Sequence, residues 1–310
     1  MTLNTDKTVL AAKIESTYNT DPTIAGTNAV EIYDVSLTPI ASETVSRELI
    51  RGYMGNYQQI PVAVKTELSF KTELVASGTA GTKPRIDPLL LSCGLSRVDV
   101  SSTSNTYSPD ATPDSSCTIN VYVNGNMHQL TGARGTFNIV GEVSTIPYFE
   151  FTFTGNYNTP TATANLTPSF GAAASPLTFV SGNTVSFALH SYAGKLQSFN
   201  YSHNNLISYR ELIGATKQIL ITDREPNGNV VIEDPGVAAK DFYSIVDSTN
   251  TGNLTLTHGT TSGNKVQFTA AQADLSSIGF QELDKIRMLD IGYNAIPTNS
   301  GNDEMSLKFF

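Results

Sequence analysis

The stretch YFEFTFTGNYN, at 148–158, puts Phe149, Phe151 and Phe153 on one side of the chain and Glu150, Thr152 and Thr154 on the other. A period of two marks a β-strand with one buried face; a helical winding would scatter the three phenylalanines around its circumference. The same alternation recurs elsewhere. KTELSFKTELV opposes Leu68, Phe70 and Leu74 to Glu67, Ser69, Lys71 and Glu73. TINVYVNG opposes Ile119, Val121 and Val123 to Asn120 and Tyr122, and NKVQFTA opposes Val266 and Phe268 to Lys265 and Gln267. The predicted fold is mainly β.

Two segments break this period. In DPLLLSCGL, Pro88 suits a first helical turn, Asp87 is the expected cap and Gly94 the expected stop. In DPGVAAKDFYSIVDST, Val237, Phe242, Ile245 and Val246 fall on one helical stripe that can face a sheet. Both predicted helices are short, and each follows one strand and precedes another.

A short match, SRELI at 46–50 and YRELI at 209–213, sits at the same place in two similar successions. The first runs VEIYDVSLTPI, SRELI, VKTELSFKTELV, DPLLLSCGL, TINVYVNG, GTFNIVG and FTFTGNYN. The second runs GKLQSFNYS, YRELI, KQILITD, NVVIED, the helix near Phe242, NLTLTH, KVQFTA and MLDIGYN. The predicted architecture is two tandem β-sandwich or barrel units, each with a short α-helix, plus long loops and an extended N-terminal arm. The first unit, with its arm, takes residues 1–158 and the second takes 177–310. TPTATANLTPSFGAAASP, at 159–176, has no periodicity and is the expected linker.

Charged residues are 15% of the chain, well below the roughly 25% of an average soluble domain, so the exposed faces are expected to be polar rather than charged. With Lys+Arg 19, Asp+Glu 28 and a net charge of -9, nothing basic clusters to grip phosphates. Cys93 and Cys117 are too few for a disulfide framework, which points to folding in a reducing compartment. No signal peptide or membrane span is legible, so a soluble, unexported chain with no membrane partner is expected.

Chemistry is sparse. His128, His190, His203 and His258 lack metal-ligand spacing, and no nucleophile motif occurs. GTAGTK at 78–83 has its glycines too close for a phosphate loop. The acid pairs Asp303/Glu304 and Glu233/Asp234 are of a kind common in turns, and DREPNG reads as a hairpin turn. The absence of Trp weakens the case for a sugar platform. Neither catalysis nor a cofactor is expected.

The opening AAKIESTYNTDP leading into VEIYDVSLTPI, the segment LTGARGTFNIVGEV, the strand FTFTGNYNTPT and the run YRELI…ILITDREPNGNVVIEDP together resemble the major tail, or tail tube, proteins of long-tailed, non-contractile bacteriophages. The resemblance spans nearly the whole chain. It implies tail-tube-like sandwiches that self-assemble into stacked rings around a passage for double-stranded DNA, which passes without specific binding. It also implies a virion protein made in the bacterial host cytoplasm, with a tape measure protein, a tail terminator and distal tail or tip proteins as partners. Many members carry one unit per chain and form six-membered rings. With two units, three chains supply the same six, giving a trimer with pseudo-sixfold symmetry; six chains with the second unit outside is the competing geometry.

A non-adhesive, acidic and polar bore would suit such a passage, and Glu67, Ser69, Glu73, Glu150 and Glu233 are the candidate lumen residues, against the alternative of an ordinary solvated outer face. Lys71 shares that face and is expected to pair with a carboxylate across an interface. Ring-to-ring contact is assigned to residues 42–61 and the N-terminal arm through Asn28, with Tyr53, Met54 and Tyr57 as anchors. Arg47, Glu48, Arg210 and Glu211 are the expected repeated interchain ion pairs. A tail-tip or baseplate ring protein and a glycan-binding receptor-binding β-sandwich are the alternative functions.

Overall fold

The computed structural model describes residues 7–171 and 173–310; residues 1–6 of the predicted N-terminal arm lie outside the described residues. In chain order the first strands are β1 (Thr8–Ile14), β2 (Ala29–Val30), β3 (Tyr33–Ser46) and β4 (Gln59–Glu73). Helix α1 (Asp87–Ser92) follows, then β5 (Leu95–Val100), β6 (Ser104–Pro109), β7 (Cys117–Val123), β8 (Asn126–Glu142) and β9 (Tyr148–Tyr157). After the short β10 (Thr161–Ala162) come β11 (Thr184–Leu189), β12 (Leu196–Ser202), β13 (Asn205–Arg210), β14 (Gln218–Arg224) and β15 (Asn227–Glu233). The chain ends with helix α2 (Phe242–Val246), β16 (Gly252–His258), β17 (Val266–Leu283), β18 (Ile286–Ala295) and β19 (Ser306–Phe309). The mainly β class predicted from alternation is the observed one.

All strand pairings are antiparallel. One series of neighbours runs β3-β4-β9-β8-β7-β1, and another runs β12-β15-β18-β17-β16-β11. The two series are joined by β8 and β12, which pair from Ser198↔Glu142 to Ser202↔Asn138. The C-terminal β19 pairs with β17 on one side and, on the other, with β6 of the β5–β6 hairpin. Eight strands are thus hydrogen-bonded in succession: β3-β4-β9-β8-β12-β15-β18-β17.

β8 is long because it serves two layers. Its first half pairs with β7 and its second with β9, and the register shifts between Thr131 and Arg134. Gly132 stands at that shift with φ +59, where a Cβ would fall 2.8 Å from the Tyr18 ring, so glycine meets both the backbone and the packing requirement. The β7–β8 turn is Asn124-Gly125 with both φ positive, the geometry that matches strand twist across a two-residue hairpin. Asp284 and Lys285 make the same kind of turn between β17 and β18 without a glycine.

Phe149, Phe151 and Phe153 face inward, as the alternation predicts; Phe70 stacks on Phe151 and Phe153, and Phe137 packs edge-on to Phe149 and tilted against Phe151. Phe199, Tyr201 and Phe268 continue the same buried cluster across the β8–β12 seam. Several expectations are corrected. β7 is buried on both faces, Asn120 and Tyr122 included, because it lies between β1 and β8 under further cover. β1, expected in an extended arm, is a core strand with Leu10, Ala11 and Ala12 buried. Val237 lies outside α2 and is exposed; Asp241 caps that helix through the Ser244 amide.

Asp87 does not cap α1. Its carboxylate instead accepts from the Tyr107 hydroxyl at 2.7 Å and from the Arg97 guanidinium, tying the helix to the β5–β6 hairpin. Residues 161–169 pack against the first series: β10 pairs with β8, Asn165 bonds Gly125 and Lys7, and Ser169 bonds Gly26.

Candidate functional site

The eight-strand succession has a buried face and a polar one. Along β4, Leu68 and Phe70 are buried, so Lys65, Glu67, Ser69, Lys71 and Glu73 take the other side. The β4–β9 register sets Thr154 opposite Glu67, Thr152 opposite Ser69 and Glu150 opposite Lys71. In β15, Val230 and Ile232 are buried and Asn229 and Glu233 alternate with them. The five predicted lumen residues therefore share one surface of the succession.

That surface is held by short local pairs. Glu67 pairs with Lys65 at 2.9 Å and Glu233 with Lys195 at 2.7 Å. Asn138 donates to Glu150 at 3.3 Å. Burial, with Glu31 nearby, pushes the Glu73 carboxyl up. Lys71 was expected to reach across an interface; it pairs instead with Asp34 of the same chain at 3.0 Å, and that hydrogen bond raises its ammonium. Asp34 occupies a left-handed position, φ 51, at a register shift in β3, so alternation gave no sign of it. Asp290, missed in the sequence, lies on the same face of β18, accepting from Asn229 at 2.9 Å and Gln281 at 2.8 Å. Its signal was present in MLDIGYN, where it alternates with the buried Leu289 and Ile291.

The second candidate surface is a pair of hairpin tips. β3 and β4 form one long hairpin, and the tip spans residues 47–58. β12 and β15 form the base of another, which continues as β13 and β14 to a tip at residues 211–217. The two RELI matches occupy these tips. Arg51 organises the first: its guanidinium lies 4.6 Å from the Tyr53 ring centre and 4.0 Å from that of Tyr57, and it donates to the carbonyls of Gly55 and Asn56. Met54 is left 95% exposed.

The expected charged half of the match is not what stands out. Glu211 pairs locally with Lys217 at 3.2 Å and accepts from the Tyr209 hydroxyl. Arg47, Glu48 and Arg210 make no ion pair among the described residues. The apolar half projects: Leu49 and Ile50 on one tip, Leu212 and Ile213 on the other, with both isoleucines fully exposed.

Among the described residues, no group of three or more His, Cys, Asp or Glu could hold a metal ion. His190 bonds the Ala273 carbonyl at 2.9 Å, and His258 sits between Thr184 and the Leu177 carbonyl. Burial pushes the Cys117 thiol up to about 12 and that of Cys93 well up too, so neither is a ready nucleophile. A cleft of about 750 Å³ is lined by the β14–β15 turn with Asp223, Arg224, Glu225 and Glu304, and the Arg224 guanidinium is paired with Glu304. No helix among the described residues is long and apolar enough to cross a membrane. Compared with known families, residues 5–309 match the model described as phage tail tube protein. No curated protein matches the chain.

Proposed function

The chain belongs to the phage tail tube protein family, and from that premise we propose that three copies close into a ring of six similar sandwiches whose stacking forms a non-adhesive bore for DNA. As a family member it is a structural component of the phage tail that assembles with itself into a tube. The ring number and the acidic bore are the further reading.

The observation that carries it is the repeated strand order. β3-β4-β9-β8-β7-β1 and β12-β15-β18-β17-β16-β11 run in the same antiparallel succession, with a short helix between β4 and β7 in one and between β15 and β16 in the other. A decorating domain would have no need to keep the order of a ring-forming unit. The boundaries proposed are residues 1–158 and 177–310, with 159–176 as a strap between them. Cyclic closure then alternates contacts within a chain and between chains.

The bore is assigned to the face carrying Glu67, Ser69, Glu73, Glu150 and Glu233, joined by Asp290. A duplex moving past it meets carboxylates and neutral groups, while Lys65, Lys71 and Lys195 are each held by an acid. The tips carrying Leu49, Ile50, Tyr53, Met54, Tyr57, Leu212 and Ile213 are assigned to ring-to-ring contact. A terminator, a tip complex and a tape measure protein are the partners this role requires.

Electron micrographs averaged down the tube axis test the reading. Three chains and six lobes per ring are expected. Six chains with outer protrusions would overturn the ring number, and assembly that stops at a single ring would favour a tip protein.

A further inference from the structure

The seam between β8 and β12 is formed inside the chain, and its counterpart is left open. We infer that the outer edge of β3 from Tyr33 to Thr38 receives the end of β17, residues 279–283, of a second copy of this chain. This rests on the ring reading above and names the residues that close it.

The register follows from the two series. β7 and β8 pair as Cys117↔Ala133 and, past a bulge, Ile119↔Leu130; β16 and β17 pair as Gly252↔Ala273 and, past a bulge, Leu254↔Ala270. Arg134↔Thr154 and Gly135↔Phe153 in the first series match Asp274↔Asn294 and Leu275↔Tyr293 in the second. β17 then carries one extra residue, a shift between Leu275 and Ser277, so Asn138↔Glu150 corresponds to Gly279↔Asp290 and Ile139↔Phe149 to Phe280↔Leu289. On the other side, Ser36↔Ser69 and Leu37↔Leu68 correspond to Asn200↔Asn229 and Tyr201↔Gly228.

Within the chain, Asn200 faces Val140, Tyr201 faces Ile139 and Ser202 faces Asn138. Carried across, Ser36 faces Gln281, Leu37 faces Phe280 and Thr38 faces Gly279 of the next copy. The side chains fit. Leu37 and Phe280 make the apolar pair that Tyr201 and Ile139 make internally, and Ser36 and Gln281 fall on the polar face.

Exposure supports the same assignment. Ile139, Phe199 and Tyr201 are buried in the formed seam, whereas Val35 is exposed and Phe280 is 64% exposed in the open one. Among the described residues, β3 pairs only with β4, and β17 beyond Ala273 only with β18. Open edges of this length invite strand addition, and the occupant is set by the internal template: another copy, whose β17 ends where that of this chain does.

The test is a full chain carrying Ser36→Cys and Gln281→Cys, oxidised at the highest soluble concentration. Cys93 and Cys117 are buried and do not interfere. A disulfide-linked ladder ending at three chains is expected. The register control Ser36→Cys with Gly279→Cys, displaced by two residues on the same face, links roughly tenfold less because diagonal neighbours lie beyond disulfide reach. In parallel, backbone amides of residues 33–38 and 279–283 of the unmodified chain exchange with deuterium at least about tenfold more slowly in assembled tubes than in free chains. Rings or tubes seen by microscopy with neither linkage nor protection would overturn the seam and leave the tube role standing. No ring or tube at all would overturn the reading on which it rests.

Discussion

His203 follows β12 with its ring wholly buried, 4.9 Å from the Phe137 ring, its Nδ1 paired with the Tyr201 hydroxyl at 2.8 Å. Burial, reinforced by Arg224, lowers its pKa from 6.5 to about 3. Above pH 6.5 the ring is neutral in both folded and unfolded chains and has no effect on stability. Below it the unfolded chain takes up a proton that the folded one refuses, so stability falls by about 1.4 kcal/mol per pH unit until the folded value is reached. Burial lowers His190 and His258 as well, and they add to the same slope. Urea unfolding at pH 7 and pH 5 is expected to show this loss, with His203→Phe removing a large share of it. A second buried group tests packing of charge. Arg224 binds Glu304, the Asp110 carbonyl and Asn302, and Glu304 is 3% exposed. Arg224→Met strands that carboxylate and is expected to cost about 3–5 kcal/mol, while adding Glu304→Leu recovers most of the loss, both read from denaturant midpoints.

The two hairpin tips can be altered without touching the core. Replacing Leu49, Ile50, Leu212 and Ile213 with Ser is expected to leave the thermal transition unchanged, because these side chains are exposed in the single chain. Rings should persist while tubes shorten, since each apolar anchor buried between rings is worth about 1–3 kcal/mol; tube length by microscopy checks this. These tips also show what the sequence could disclose. The Arg and Glu of RELI are its chemically conspicuous letters, and nothing local says that Glu211 is consumed by Lys217 and Tyr209 or that Leu and Ile are the exposed half. Alternation identified β4, β7, β9 and β17 and put Glu67, Ser69, Glu73 and Glu150 on the polar sides of their strands, because side-chain direction has a fixed period. It could not name partners. The β8–β12 seam joins strands far apart in sequence, and a period of two specifies a face rather than a neighbour. β1 falls in the stretch that the family resemblance makes an extended arm, and the two alanines of TVLAAKI, which carry little apolar signal, fill the tight space against β7 and β2.

In the proposed ring, the excess of acid over base is divided between the face assigned to the bore and the faces assigned to other chains. The net charge of -9 would oppose assembly if it were concentrated at the seams. At the predicted closure the pairs Ser36–Gln281, Leu37–Phe280 and Thr38–Gly279 are uncharged, and of the two acids on these edges, Asp34 is already paired with Lys71 while Glu282 lies near the end of β17; Glu150, Asp290 and Glu67 lie along the polar face between seams. Reversing charge there should therefore spare the ring and change only what the bore does to a duplex. Glu67→Lys with Glu150→Lys is expected to give tubes of unchanged diameter that retain a labelled DNA duplex at low salt, while the parent tube does not. Retention should fall as salt rises, with a log–log slope near 0.9 for each phosphate neutralised. Nuclease separates the two possible faces: duplex held inside is protected, and duplex held on an outer wall is digested. Digestion of all retained DNA would move the acidic face to the outside and reassign the bore to the opposite surface of the ring.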